Sequence, residues 1–114
     1  MQAVNCEGWW EQRGLGRQLM TDLRLRFVDG EIIGHGSDLV GEFVLNGTIT
    51  GDRVSMFKQY NNKHQVGYPG TFDGEGTLQG LWNMDHVGGR WLIKIVGTPD
   101  ADSGITTIEP NCSV

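Results

Sequence analysis

The sequence predicts an all-β protein: an antiparallel up-and-down β-barrel of about eight strands with almost no helix. Three observations support this fold class. Glycine contributes 18 of the 114 residues, about twice its usual share of roughly 7%, which disfavours long helices. Turn sequences rich in Gly, Asn and Asp recur along the whole chain at short spacing. Between the turns, apolar and polar residues alternate, which is the pattern of a half-buried strand.

The alternation assigns an inward face to each predicted strand. Leu23–Phe27 is the clearest case, because its odd positions are apolar and its even positions are arginines. One segment, Gln12–Met20, allows a short helical turn instead, although Gly14 and Gly16 disfavour it. The same two-residue period marks further strands at Gly41–Thr50, Arg53–Tyr60, Gln65–Phe72, Thr77–Trp82 and Arg90–Val96, with a candidate last strand at Ile105–Ile108.

The connections between predicted strands are short, so neighbours in sequence should be neighbours in space. This favours a meander that closes on itself, since closure removes the exposed sheet edges. Glycines within the predicted strands allow the sheet to bend at the corners of a barrel; they are Gly41, Gly67, Gly70 and Gly80. We therefore expect residues 1–114 to form one domain in which the strand of Trp10 lies beside the last strands.

Charge and composition exclude several classes of partner. The chain has 9 basic and 14 acidic residues, a net charge of −5 and a pI near 5.0. An acidic chain is a poor match for nucleic acid or for an anionic membrane surface. Neither a basic and apolar leader nor a stretch long enough to span a bilayer is visible, so we expect a cytoplasmic protein.

The two cysteines, Cys6 and Cys112, lie near the two ends of the chain. They are interpreted either as reduced thiols or as a disulfide that joins the first strand to the last, which an oxidising compartment would favour. Two segments, Asn46–Thr48 and Asn111–Ser113, match glycosylation sequons and are interpreted as chance matches.

Gly8-Trp9-Trp10 resembles the G-x-W motif that opens the first strand of the calycin group, which includes lipocalins, fatty-acid-binding proteins and avidins. In lipocalins that tryptophan closes one end of the barrel, and a basic residue from a late strand packs over it. The resemblance assigns these two positions to Trp10 and Arg90, as a cation–π pair at the barrel end.

A second resemblance covers most of the chain. It is similar to a small domain of uncharacterised proteins for which no activity is established, and it therefore supports the fold and leaves the function open. The residues that carry it are Gly36-x-Asp38-x-x-Gly41-x-Phe43, Lys58-x-Tyr60, His64-x-Val66-x-Tyr68-x-Gly70 and Gly80-x-Trp82.

Motifs for metal binding and catalysis are weak. Asp100–Gly104 resembles the start of a calcium loop, but Asn111 stands where such a loop needs a glutamate. His35, His64 and His86 lack the spacing of a zinc site. No nucleophile motif and no cofactor fingerprint is present, so we expect no metal and no cofactor, and a non-catalytic protein is favoured.

The best candidate for a binding site is a set of inward polar and aromatic residues. Val54 and Met56 set the inward face of the predicted strand Arg53–Tyr60, and the two-residue period extends that face to Lys58 and Tyr60. A buried lysine costs several kcal/mol unless it is paired or faces a wet cavity. Inward-facing residues on neighbouring strands complete the candidate ligand site of Lys58, Tyr60, Tyr68 and Trp82.

Alternatives to this site remain open at the level of sequence. A buried Lys58 would need an anion, a polar ligand, or a carboxylate such as Asp38 or Glu42. Lys58 could instead lie at the barrel mouth with its amine in water. If Phe57 were the inward residue, Lys58 would point outward and the site would not exist.

Two functions are consistent with these residues. The first is a non-catalytic barrel that binds a small anionic or aromatic ligand in its lumen or mouth. The second is a protein-interaction or oligomerisation module with a solid core, such as a homodimer. This alternative rests on Trp9 and Trp10. Because they are adjacent, they should point to opposite faces of the sheet, which leaves one indole on the outer face as a candidate contact for a partner. The interior volume distinguishes the two functions.

Overall fold

A computed structural model describes residues 3–97 and shows a closed antiparallel barrel of eight strands. Each strand pairs with the next along the chain, and β8 pairs with β1, so the predicted fold class is confirmed. The strands are β1 (Val4–Gln12), β2 (Gly16–Val28), β3 (Glu31–Ser37), β4 (Glu42–Thr50), β5 (Arg53–Tyr60), β6 (Gln65–Phe72), β7 (Thr77–Met84) and β8 (Val87–Gly97).

The barrel closes between β1 and β8, where Trp10 lies opposite Trp91 and Asn5 lies opposite Gly97. The predicted position of the Trp10 strand beside the last strand is therefore confirmed. The start of β1 and the end of β8 share one end of the barrel, which we call the far end; the opposite end is the mouth. Cys112 and the candidate strand Ile105–Ile108 fall outside the described residues, so the pairing of Cys6 stays a prediction.

The alternation along each strand separates a buried interior from an exposed outer face. Its register on β5 is unambiguous, because Lys58 is completely buried whereas Phe57 is 52% exposed. Most of the interior is filled by apolar side chains in contact with one another. The most deeply buried of them are Leu25, Ile32, Phe43, Leu45, Val54, Met56, Leu78, Trp91 and Ile93.

The segment Gln12–Met20 forms a turn and the start of β2 rather than a helical turn. Gly14 and Gly16 have φ angles of 86° and 85°, which a right-handed helix does not allow. Leu15 closes the turn by donating its amide hydrogen to the carbonyl of Gln12 at 3.0 Å. In the part of the chain that the structure describes, no helix is long and apolar enough to cross a membrane.

Gly70 makes space for a large core residue, and Gly80, opposite it, allows β7 to approach the backbone of β6 closely. Gly70 on β6 and Gly80 on β7 lie opposite each other in the ladder. A Cβ atom on Gly70 would lie 2.8 Å from the Trp91 ring and would also collide with the carbonyl of Gln79. The Trp91 indole uses the vacant space and donates to the Pro69 carbonyl at 3.1 Å. These glycines are therefore required by packing.

The far end is closed by turns that hydrogen-bond to the strand beyond their own hairpin and by apolar side chains packed beneath them. Among the described residues, these turns and apolar side chains cover the far end, whereas a pocket opens at the mouth. The backbone bonds run from Ile49 to Gly30, from Phe72 to Asp52 and from Ile95 to Gly76, at 2.8, 2.8 and 2.7 Å.

Candidate functional site

A pocket of about 230 Å³ opens at the mouth of the barrel. Its inner wall is aromatic and is made by residues on β1, β5, β6 and β7, namely Trp10, Tyr60, Tyr68 and Trp82. Its rim includes Leu15 from the β1–β2 turn and Leu39 from the β3–β4 loop, which are 46% and 66% exposed. The pocket is therefore a mostly apolar depression whose base rests on the solid core.

Asp38 lies in the loop between β3 and β4 and points into the barrel behind the pocket wall, where its side chain is completely buried. Its backbone amide and carbonyl both hydrogen-bond to Gly41, which holds this loop in a tight turn just before β4. One carboxylate oxygen, Oδ1, accepts the amide hydrogen of Val40 at 2.9 Å. The other, Oδ2, accepts hydrogen bonds from Lys58 Nζ at 2.5 Å, Tyr60 Oη at 2.7 Å and Trp10 Nε1 at 3.1 Å.

Lys58 is the charged partner of Asp38. Its amine also donates to the Tyr68 hydroxyl at 3.2 Å. The ammonium lies 4.3 Å from the centre of the Phe43 ring and 5.0 Å from that of Tyr60, distances at which aromatic faces attract a cation. Of the open alternatives, the structure thus shows a carboxylate partner for a buried lysine. That partner is Asp38, because Glu42 accepts a hydrogen bond from Asn61 on the exposed side.

Burial and hydrogen bonding shift the pKa values of Asp38 and Lys58 in opposite directions. Burial by itself would raise the pKa of Asp38, but the hydrogen bonds and charge of Lys58, with the Tyr60 hydroxyl, outweigh it and hold that pKa below its usual value. Burial lowers the pKa of Lys58 to about 8, although Asp38 opposes the shift. Burial and the Asp38 charge raise the pKa of both Tyr60 and Tyr68. At neutral pH the pair is therefore ionic and the two phenols are neutral.

Three of the four predicted ligand-site residues line the pocket. Tyr60, Tyr68 and Trp82 do so, and the Trp82 indole is fixed by a hydrogen bond to the Glu11 carbonyl at 3.0 Å. Lys58 lies behind this wall and does not line the pocket. The lysine therefore supports the pocket from below instead of presenting its charge to a ligand.

The predicted pair of Trp10 and Arg90 requires a correction. Trp10 points inward and packs edge-to-face against Trp82, with ring centres 5.7 Å apart. Arg90 lies on the outer face, 5.7 Å from the centre of the Trp9 ring, and pairs with Glu11 at 3.0 Å. The reason is the two-residue period: adjacent tryptophans point to opposite faces, and the exposed arginine shares the outer face with Trp9.

Several residues of the site were not predicted from the sequence. Asp38 was named only as one of two carboxylates able to pair with Lys58, and its hydrogen bond to Trp10 was not foreseen. Leu39 and Val40 come from a loop, whose side-chain directions have no periodic signal. One sequence signal did point to Asp38. It belongs, with Phe43, to the spaced pattern of the second resemblance, which also contains Lys58 and Tyr60.

The geometry defines a class of protein: a small closed up-and-down β-barrel with an aromatic pocket at one mouth. Comparisons of the chain with protein-family models, with curated proteins and with solved structures find no match. Within residues 3–97, no group of three or more His, Cys, Asp or Glu side chains is placed to hold a metal ion. The chemistry of the pocket must therefore be argued from its own residues.

Proposed function

We propose that this protein is a calycin-like, non-catalytic barrel that binds a small molecule in the pocket at its mouth. The observation that carries the proposal is the pocket itself, with an inner wall of four aromatic side chains above an interior filled mostly by apolar side chains. Ligand sites are typically concave, mostly apolar and lined by aromatic residues with a few placed polar groups.

The size of the pocket supports a ligand of one or two rings. A cavity of roughly 150 Å³ is enough to bind benzene, and this pocket measures about 230 Å³. The packed core beneath it leaves the mouth, rather than the lumen, as the place for the ligand. Of the two ligand classes predicted from the sequence, the lining favours aromatic molecules, because Lys58 is buried behind the wall and neutralised by Asp38.

Tryptophan fluorescence offers a direct test, since Trp10 and Trp82 both line the pocket. A ligand should quench their emission in a saturable manner during a screen of small aromatic compounds. Val66→Phe places a ring in the pocket and should weaken binding at least about tenfold, because the steric overlap removes the space for the ligand.

Leu81→Phe is the matched control, since Leu81 lies on the outer face and is 66% exposed. It should leave the affinity unchanged, with the melting temperature of both variants recorded. Saturable binding that Val66→Phe does not weaken would show that the ligand binds outside this pocket. An absence of binding across the screen would reject the proposal.

A second function, association through the outer face, is favoured by a separate observation. Leu19 on β2 is 65% exposed and Leu81 on β7 is 66% exposed, on the two strands that flank the β1–β8 pair. On β1, the Trp9 ring is covered by the Arg17 guanidinium at 3.7 Å. An apolar face of this kind suits a homodimer contact. Sedimentation velocity tests it: a dimer that Leu19→Arg converts to a monomer would support association, and a monomeric wild-type chain would reject it.

A further inference from the structure

We infer that the pocket selects an uncharged aromatic molecule that carries a hydrogen-bond acceptor, and that this acceptor binds the hydroxyl group of Tyr68. The inference rests on the proposed function and specifies the ligand class of the same pocket. Three features of the site lead to it: the charges around the pocket, the hydrogen-bond capacity of its wall, and its shape.

The charges around the pocket disfavour an ionic ligand. None of the described residues that line it is Lys, Arg, Asp or Glu. Behind the wall, Lys58 and Asp38 have completely buried side chains and compensate each other at 2.5 Å. The exposed Lys63 donates to the carbonyl of the lining residue Val40 at 2.8 Å. His64 also lines the pocket, but it is exposed at the rim, with its ring centre 5.0 Å from that of Tyr60. A carboxylate at the base of the pocket would thus lose its hydration without gaining a paired charge.

The hydrogen-bond donors of the inner wall are almost all in use. The Trp10 indole donates to Asp38, the Trp82 indole donates to a backbone carbonyl, and the Tyr60 hydroxyl donates to Asp38. Tyr68 differs from them. Its hydroxyl oxygen accepts from Lys58, and no residue that the structure describes accepts its hydroxyl proton.

The Asp38–Lys58 pair sets the direction of the Tyr68 hydroxyl. Because Lys58 occupies a lone pair of the phenol oxygen, Tyr68 acts toward a ligand as a donor. Tyr68 is 2% exposed and lines the pocket, and an unused buried donor is energetically costly. The raised pKa of Tyr68 keeps its proton in place at neutral pH. An acceptor atom on the ligand would satisfy this donor.

The shape of the pocket completes the description. Trp10 and Trp82 meet edge to face, with an interplanar angle of 88°, so the wall offers ring faces and edges to a flat ligand. The ligand class is therefore a one- or two-ring aromatic ketone, amide or ester, with the rings against the indoles and the carbonyl oxygen toward Tyr68.

Three naphthalene compounds of similar size test the inference on the full chain. 2-Acetylnaphthalene carries a carbonyl, 2-isopropenylnaphthalene replaces its oxygen with a methylene group, and 2-naphthoate carries a charge. From the usual strength of a hydrogen bond, the ketone should bind about 3- to 10-fold more tightly than the alkene. The naphthoate should bind more weakly than the ketone. The infrared carbonyl stretch of the bound ketone should also lie at lower wavenumber than in hexane.

Variants then assign the effect to one hydroxyl. Tyr68→Phe should remove the preference for the ketone over the alkene. Leu81→Phe, on the outer face and 66% exposed, is the control and should keep that preference. If either variant fails to fold, the infrared shift in the wild-type chain still decides whether the carbonyl accepts a hydrogen bond.

The outcomes separate this inference from the proposed function. Equal binding of the ketone and the alkene, or tightest binding of the naphthoate, would overturn the inference and leave a ligand-binding barrel. A preference for the ketone that survives in Tyr68→Phe would also overturn it. If none of the three compounds and no member of the aromatic screen binds, the proposed function fails and the inference fails with it.

Discussion

The far end of the barrel is filled by apolar side chains such as Phe27, Ile49 and Phe72, whereas the region behind the mouth holds the buried ion pair of Asp38 and Lys58. Both regions bury side chains, but they do so with different chemistry. Apolar packing needs only complementary volume, while a buried pair needs every partner in place. The mouth is thus the more specialised and the more fragile of the two regions.

The difference also indicates where function lies. A solid apolar layer stabilises the barrel and offers nothing to a ligand. The network behind the mouth orients two phenols and an indole in the pocket wall. Replacing a buried ion pair with apolar residues is often neutral or stabilising, so such a pair is weak evidence for stability alone. We therefore attribute the pair to positioning the pocket, and four predictions test this contrast.

The largest effect is expected when the ion pair is broken from one side. Asp38→Ala leaves the Lys58 ammonium buried without its carboxylate and should lower the free energy of unfolding by about 3–5 kcal/mol. Urea denaturation would measure the loss. Glu42→Ala, at the exposed start of β4, is the control and should change stability by less than about 0.5 kcal/mol. Similar losses for the two variants would show that the pair carries no special role.

Removing both charges should lower the free energy of unfolding less than removing the Asp38 carboxylate alone. Lys58→Met combined with Asp38→Ala takes away the unpaired ammonium, so the double variant should recover about 1–3 kcal/mol relative to Asp38→Ala alone. A double-mutant cycle with the four unfolding free energies gives the coupling directly. Additive losses in this cycle would mean that the two side chains do not interact, in conflict with their 2.5 Å contact.

The apolar interior should respond to lost volume rather than to lost charge. Leu78→Ala, on β7, removes a completely buried side chain and should cost about 2–4 kcal/mol through the cavity that it leaves. Its cost should not depend on pH, whereas that of Asp38→Ala should. Leu81→Ala, on the same strand but 66% exposed, should cost less than about 0.5 kcal/mol. If the loss of unfolding free energy in Leu78→Ala varied with pH, the proposed difference between the two regions would be contradicted.

The smallest effect is expected in acid. The pKa of Asp38 is lower in the folded chain than its ordinary value of 3.8, so the unfolded chain takes up a proton first as the pH falls. The stability from Asp38 is therefore present above about pH 4 and is lost below it. Thermal melting from pH 6 to pH 2.5 should show this decline. The decline should persist in Asp73→Asn, which removes an exposed carboxylate whose pKa is also lowered, by backbone hydrogen bonds.

Much of the site followed from strand periodicity. The inward positions of Tyr60, Tyr68 and Trp82 needed only the two-residue period, because a strand sends alternate side chains to the same face. The same period placed Lys58 inward on β5, with Phe57 as the alternative, and the burial of Lys58 confirms that register. The pattern did not decide which carboxylate pairs with the lysine, because Asp38 lies 20 residues away in a loop.

By itself, the sequence determined the all-β class, the up-and-down order of strands and the inward face of most of them. These properties depend on local turns and on alternation, which act over a few residues. The tertiary structure alone decided that Asp38 turns inward to meet Lys58, that Arg90 lies near Trp9 on the outer face, and that the described residues leave a pocket at the mouth. Those outcomes depend on how eight strands close into a barrel, because closure sets the distances between distant residues and the volume that they leave unfilled.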